Sequence, residues 1–199
     1  MKSDICTLSA NSIDTLKKVL SETEKTAAYA SLDKKQGSRL RLLAEELVEM
    51  LPSLLEFTSG EFWIECEGKH FELHTSLKPD DALTSEKRDE LLKVSSSGKN
   101  AAAVGIMAKI RLAAAFMLID YEKNAADLLL AGDFYHDGMG ANPYFAIPAW
   151  TLENYRAKAK SEQGEKWDEL EKSIIANIAD DVLVGVDGKK VEIIVKKSF

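Results

Sequence analysis

Apolar residues recur every three or four positions through two early stretches of the chain. Ile13, Leu16, Val19 and Leu20 follow Asn11 or Ser12, either of which can cap a helix, and they predict a helix over 13–31. Leu40, Leu43, Ala44, Leu47, Val48, Leu51, Leu54 and Leu55 trace one continuous stripe. They predict a second helix reaching about residue 57, ended or kinked by Pro52. Between the two, DKKQGS (33–38) reads as a polar connection.

EFWIECEGKHFELHTSL then holds two runs rich in aromatic and branched residues separated by Gly68-Lys69, which predicts a β-hairpin over 61–75 with a short turn. A polar loop leads to a charged helix near 84–94, capped by Thr84 or Ser85, and SSSGKN (95–100) separates it from an apolar helix over 101–119. Residues 135–150, with their glycines, prolines and aromatics, predict an irregular, partly packed loop. Thr151 is expected to cap one long charged helix to about 178, and VLVGV and KVEIIVK around Asp187-Gly188 predict a closing hairpin. Hairpins separated by helices define an α+β fold. The expectation is a two-layer sandwich, an antiparallel or mixed sheet covered on one face by helices, in one domain over 1–199.

Composition narrows the function classes. With 45% hydrophobic residues in 199, the chain can bury a sizeable core. Twenty-six Lys and Arg against thirty-three Asp and Glu give a net charge of −7, which argues against nucleic acid or an anionic membrane surface as partner. Cys6 and Cys66 are too few and too far apart for a disulfide framework or a zinc-finger pattern, and the opening MKSDICTLSANS has no apolar export signal, so the cytoplasm is the expected compartment. Residues 101–120 are apolar enough to suggest a membrane span. Lys109 and Arg111 near its middle would each cost about 2.5–3.5 kcal/mol there, so a buried helix is expected instead.

Element order and local residues together resemble the ATP-binding domain of histidine kinases and anti-sigma-factor serine kinases, the GHKL or Bergerat fold. RLLAEELVEML is similar to the helix that carries that family's E-x-x-x-N box, with Glu46 matching the Glu. The hairpin of 61–75 follows it, VGIMAKIRLAA is similar to the glycine-bearing segment that opens a later helix, with Gly105 matching, and a hairpin ends the domain. The resemblance covers about 11–119 and 172–198 and leaves 120–171 as an insertion. It implies Glu46 as catalytic base, Asp80 or Asp81 at adenine, Gly98, Lys99 and Gly105 around the phosphates, and ATP with magnesium as cofactors. Four positions depart from the pattern. Met50 stands where the family has a magnesium-holding Asn, and a thioether is a soft ligand for that hard cation. Ala82 and Thr84 stand where glycines would follow Asp80, and Ala103 replaces another.

Those departures imply a non-catalytic or weakly nucleotide-binding regulatory module, with no cofactor and with a protein partner, a regulatory or sigma-type factor, held by the 120–171 insertion. The alternative is an active ATP-dependent serine/threonine kinase of the anti-sigma type. On a helical wheel Glu46 lies roughly 120° from the centre of the apolar stripe and about 40° from Met50, so a plain edge carboxylate beside a core methionine competes with both.

Other candidates are weaker. SGK at 97–99 lacks the glycine and preceding strand of a phosphate-binding loop. His136 beside Asp137 could serve an unrelated enzyme built on DFYHDGMG (133–140), although no nucleophile is pinned near it, and Asp137-Gly138-Met139-Gly140 reads as a turn-rich loop. Phe134, Tyr135, Tyr144, Phe145 and Trp150 could form a recognition patch or anchor the insertion in the core. His70 and His74 share a strand face but stand roughly 13 Å apart at 3.3 Å per residue, too far to share a metal, and no metal site is expected.

Overall fold

A computed structural model of the chain describes residues 1–9, 13–54, 57–79, 139–140, 149–162, 173–187 and 190–199. Two helices open the fold: α1 (Ile13–Tyr29) and α2 (Lys34–Leu54). Thr23 and Thr26 lie on the buried side of α1 and satisfy their hydroxyls on the carbonyls of Val19 and Glu22, each at 2.8 Å. Leu32 N–H donates to Ala27 O and Ser31 N–H to Ala28 O, each at 3.0 Å, with Ser31 at φ 52°. This is the Schellman closure, with serine at the left-handed position that glycine usually fills.

The connection expected at 33–38 is instead the first turn of α2. Asp33 is its cap: its carboxylate accepts from Gln36 N–H at 2.9 Å, and the Gln36 side chain accepts from Asp33 N–H at 3.2 Å. This reciprocal pair satisfies two backbone donors and starts the helix at Lys34, ahead of the apolar stripe that begins at Leu40. Pro52 sits in the last turn, and α2 ends two residues later at Leu54.

Among the described residues the sheet has seven strands: β1 (Cys6–Leu8), β2 (Phe57–Glu67), β3 (His70–Pro79), β4 (Met139–Gly140), β5 (Ala149–Thr151), β6 (Asp181–Asp187) and β7 (Lys190–Ser198). Their spatial order is β1-β2-β3-β7-β6-β5-β4, with each neighbouring pair antiparallel. Both expected hairpins are present and longer than the sequence runs alone marked. Glu67 pairs with His70 around Gly68, which takes φ +60°, and Asp187 pairs with Lys190, so Asp187 belongs to the ladder of the second hairpin rather than to its turn.

One face of the sheet carries the core. Phe62, Ile64, Phe71, Leu73, Leu77, Val182, Val184, Val191, Ile193 and Val195 meet Val19 and Leu20 of α1 and Leu40, Leu43, Ala44, Leu47 and Leu51 of α2 in one buried cluster. Cys6 and Cys66 join it as free thiols, and burial pushes both thiol pKa values up, so neither is a ready nucleophile. At about 25 cal/mol per Å² of apolar area removed from water, this layer is the main stabilising term of the fold.

The single helix expected from 151 to 178 is interrupted: its described residues hold α3 (Leu152–Glu162) and α4 (Ile174–Ile178). Thr151 caps the first as expected, its hydroxyl accepting from Asn154 N–H at 3.2 Å. Ser173 is extended at φ −91°, ψ 121° and caps the second by accepting from Ala176 N–H, which breaks any continuous helix there. Arg156 of α3 ties the two together. Its guanidinium donates to the carbonyls of Ala176, Ala179 and Asp180 at the end of α4, while Asp181 Oδ1 accepts Glu153 N–H at the start of α3 at 2.9 Å.

Three strands were not marked by periodicity. β1 is three residues long, and β4 and β5 lie inside the stretch expected to be an irregular loop. Met139–Gly140 is thus a strand pairing with Ala149 and Trp150, not part of a turn-rich loop, and this part of the 120–171 insertion extends the sheet. The helices expected at 84–94 and 101–119 lie outside the described residues. Among the described residues no helix is long and apolar enough to cross a membrane.

Two substitutions test this packing with opposite signs. A Cβ at Gly60, where β1 and β3 close on β2, would come within 2.7 Å of Leu77 Cδ2, 3.2 Å of Leu8 Cβ and 3.3 Å of Ser76 O. Gly60→Ala is expected to lower stability by about 1–3 kcal/mol in urea melts. Ser31→Gly relieves the left-handed serine and is expected to raise it by up to about 1 kcal/mol.

Candidate functional site

Glu46 and Met50 are the described members of the site that the resemblance implies. Glu46 is half-buried on α2, and Met50, one turn on, is 8% exposed and part of the core cluster. Asp80, Asp81, Gly98, Lys99 and Gly105 lie outside the described residues, as do His136, Asp137, Phe134, Tyr135, Tyr144 and Phe145. Trp150 is described and is a core residue: it is 1% exposed, and its ring meets Tyr155 of α3 at 5.9 Å between centroids. It is therefore an anchor for β5 rather than a member of an exposed aromatic patch.

The side chains that do converge are on the other face of the sheet. The two-residue turn at Gly68-Lys69 fixes the register, pairing the residues of β2 from Ser59 to Glu67 with those equally far from the turn on β3. Trp63 is thereby opposite His74, and Glu65 is opposite Glu72. The stagger of β7 then sets Lys196 beside Glu72 and Ile194 beside His74, and an isolated bridge brings Lys2 against Glu65.

The Trp63 and His74 rings stack, with centroids 4.9 Å apart and planes within 7°. Lys2 Nζ lies over the Trp63 ring at 4.6 Å and 3.2 Å from Glu65 Oε1, the oxygen that also accepts Trp63 Nε1–H at 2.9 Å. Lys196 Nζ is 3.1 Å from Glu72 Oε1, while Glu72 Oε2 faces His74 Nε2 at 3.4 Å. Two carboxylates directly opposite each other repel. Here each has a lysine on its outer side.

His74 is the unusual member. Polar positions of an alternating strand normally face water, yet His74 is 8% exposed, and its neighbour on the same face, Ser76, is 5% exposed. Leu183 and Ile194 on the same face form a second small buried pair, each 2% exposed. Neither His74 Nε2 nor Ser76 Oγ has a hydrogen-bond partner among the described residues; the Glu72 contact is close but lacks hydrogen-bond geometry. Burial pushes the His74 pKa below its ordinary value, against the carboxylates of Glu65 and Glu72, which raise it. The ring is therefore neutral at pH 7. Burial raises the Glu65 carboxyl, but its hydrogen bonds from Trp63 and Lys2 and the nearby positive charge outweigh it, and its pKa ends below the usual carboxylate range.

His70, by contrast, is exposed beside the turn, with Nδ1 2.8 Å from Ser198 Oγ. Sequence reasoning paired the two histidines and passed over the carboxylates; the signal that finds the cluster is the hairpin register itself. Comparison with protein-family models, curated proteins and solved structures finds no match for the chain.

A buried neutral histidine must take up a proton on unfolding in mild acid, so its contribution is present above pH ~6.5 and is lost as pH falls toward the lowered folded pKa. The midpoint of thermal unfolding is expected to drop between pH 7 and 5. His74→Gln should flatten that slope, and an unchanged slope in the variant would assign the effect to other groups.

Proposed function

We propose that the chain is a regulatory, protein-binding module built on a degenerate GHKL-type domain, with little or no nucleotide chemistry of its own. The observation that carries the reading is Met50. In the helix that resembles the family's E-x-x-x-N box, the magnesium position holds a thioether that lies in the apolar core. A hard cation needs oxygen ligands, and a side chain held among Leu47, Leu51 and the sheet offers none. Glu46, which would activate a nucleophile in the active alternative, is left without the ion that its chemistry requires.

Element order supports the same ancestry: two helices, a hairpin, and a closing hairpin that pairs with the first in one antiparallel sheet. The expected partner is a regulatory or sigma-type protein. The expected compartment is the cytoplasm, in keeping with two free buried thiols.

Thermal melting in millimolar magnesium-ATP or ADP tests this reading. A ligand at 100 times its dissociation constant stabilises by about 2.7 kcal/mol, and no such shift is expected. Met50→Asn restores the family's residue; it is expected to lose about 2–4 kcal/mol through lost packing and a buried amide, and still to show no nucleotide shift. A midpoint that rises in the wild type with magnesium-ATP and falls back when Glu46→Ala and Asp80→Ala are combined would overturn the degenerate reading.

A further inference from the structure

We propose that Glu65, Glu72 and His74 form a binding site for one divalent transition-metal ion of the zinc type, on the sheet face opposite α1 and α2. The inference rests on no part of the regulatory reading.

One ligand atom from each of the three residues can be chosen so that all lie within 4.8 Å of one another. Ligands at about 2.1 Å around a tetrahedral ion are separated by roughly 3.4 Å, so small side-chain rotations bring the three to a common centre. An acidic pair alone would say little, since carboxylates on a surface are commonplace. The second observation is His74: it is buried, and its Nε2 faces Glu72 without a hydrogen bond among the described residues. Leaving a buried ring nitrogen unsatisfied is unfavourable, and coordination would satisfy it.

The surroundings have the form that supports a metal's ligands. Both donors to Glu65 converge on one of its oxygens, Oε1. Lys196 contacts Glu72 Oε1, while Oε2 faces the imidazole. The stacked Trp63 ring fixes the plane of His74. Outer contacts of this kind orient ligands and set metal affinity. The neutral imidazole has a lone pair to give, and one nitrogen with two carboxylate oxygens suits zinc or manganese better than magnesium or calcium, which prefer all-oxygen sets. Lys2 and Lys196 are the competing cations; their side chains are 51% and 30% exposed, so each can turn toward water as the ion enters. Glu65, whose side chain is 44% exposed, marks the open side, where water or an anionic oxygen would complete the coordination.

The test is calorimetric titration of the chelator-stripped full chain with zinc chloride, with manganese, magnesium and calcium chlorides run alongside. One ion per chain is expected, with zinc or manganese bound in preference to magnesium and calcium. Glu65→Gln, Glu72→Gln and His74→Gln should each weaken binding by at least the roughly 10- to 100-fold that loss of a supporting contact costs. Glu61→Gln, exposed on the same face, should bind as the wild type does. Melting of each variant in metal-free buffer confirms that it is folded, and Glu65→Gln, the most exposed and nearly isosteric change, keeps the test usable if His74→Gln unfolds. No uptake by the wild type, uptake unchanged in Glu65→Gln and Glu72→Gln, or preference for magnesium or calcium would overturn the proposal.

Discussion

The pairing of β3 with β7 holds the rest of the structure in place. It joins His70–Pro79 to Lys190–Ser198 in a single register, from His70 opposite Ser198 to Leu77 opposite Val191. Each strand brings its own hairpin partner, so this one ladder turns two local hairpins into a sheet. It also aligns Phe71, Leu73 and Leu77 with Val191, Ile193 and Val195 on a single face, the surface on which α1 and α2 bury their stripes. A slip of one residue would turn every one of those side chains to the other face. The same register sets Lys196 against Glu72, so the polar cluster and the core are fixed by one constraint.

The parts of this fold that were legible in the sequence are those in which one signal runs long enough to be read. β2 and β3, eleven and ten residues long, are rich in aromatic and branched residues on both sides of a glycine turn. The apolar stripe of α2 extends over several turns. What was missed is short or carries a different signal. β1 and β5 have three residues each and β4 has two, too few to establish a period. The start of α2 was written in capping chemistry, Asp33 with Gln36, rather than in hydrophobicity. The break before α4 depends on the extended backbone of Ser173, inside a run that reads as helical throughout.

The candidate cluster was half legible. With the turn at Gly68-Lys69, the cross-strand pairs Trp63–His74 and Glu65–Glu72 follow from counting. The burial of His74 does not, because alternation assigns positions 72, 74 and 76 to water, and only the folded chain reveals that this part of the second face is closed off. Met50 illustrates the reverse case. Its chemistry was plain in the sequence, while its 8% exposure needed the packing of α2 on the sheet.

The strand at the centre of the sheet is among the later ones to be synthesised. His70 and Ser198 are 128 residues apart, a stretch that takes on the order of ten seconds to emerge at about 5–20 residues per second. Through that interval one edge of β3 has unpaired backbone N–H and C=O groups beside Phe71, Leu73 and Leu77, the form of edge that templates pairing with another chain. A growing polypeptide of this kind is most exposed to misassembly at its middle, so shielding during translation matters more for it than for a sheet that is completed strand by strand from one side.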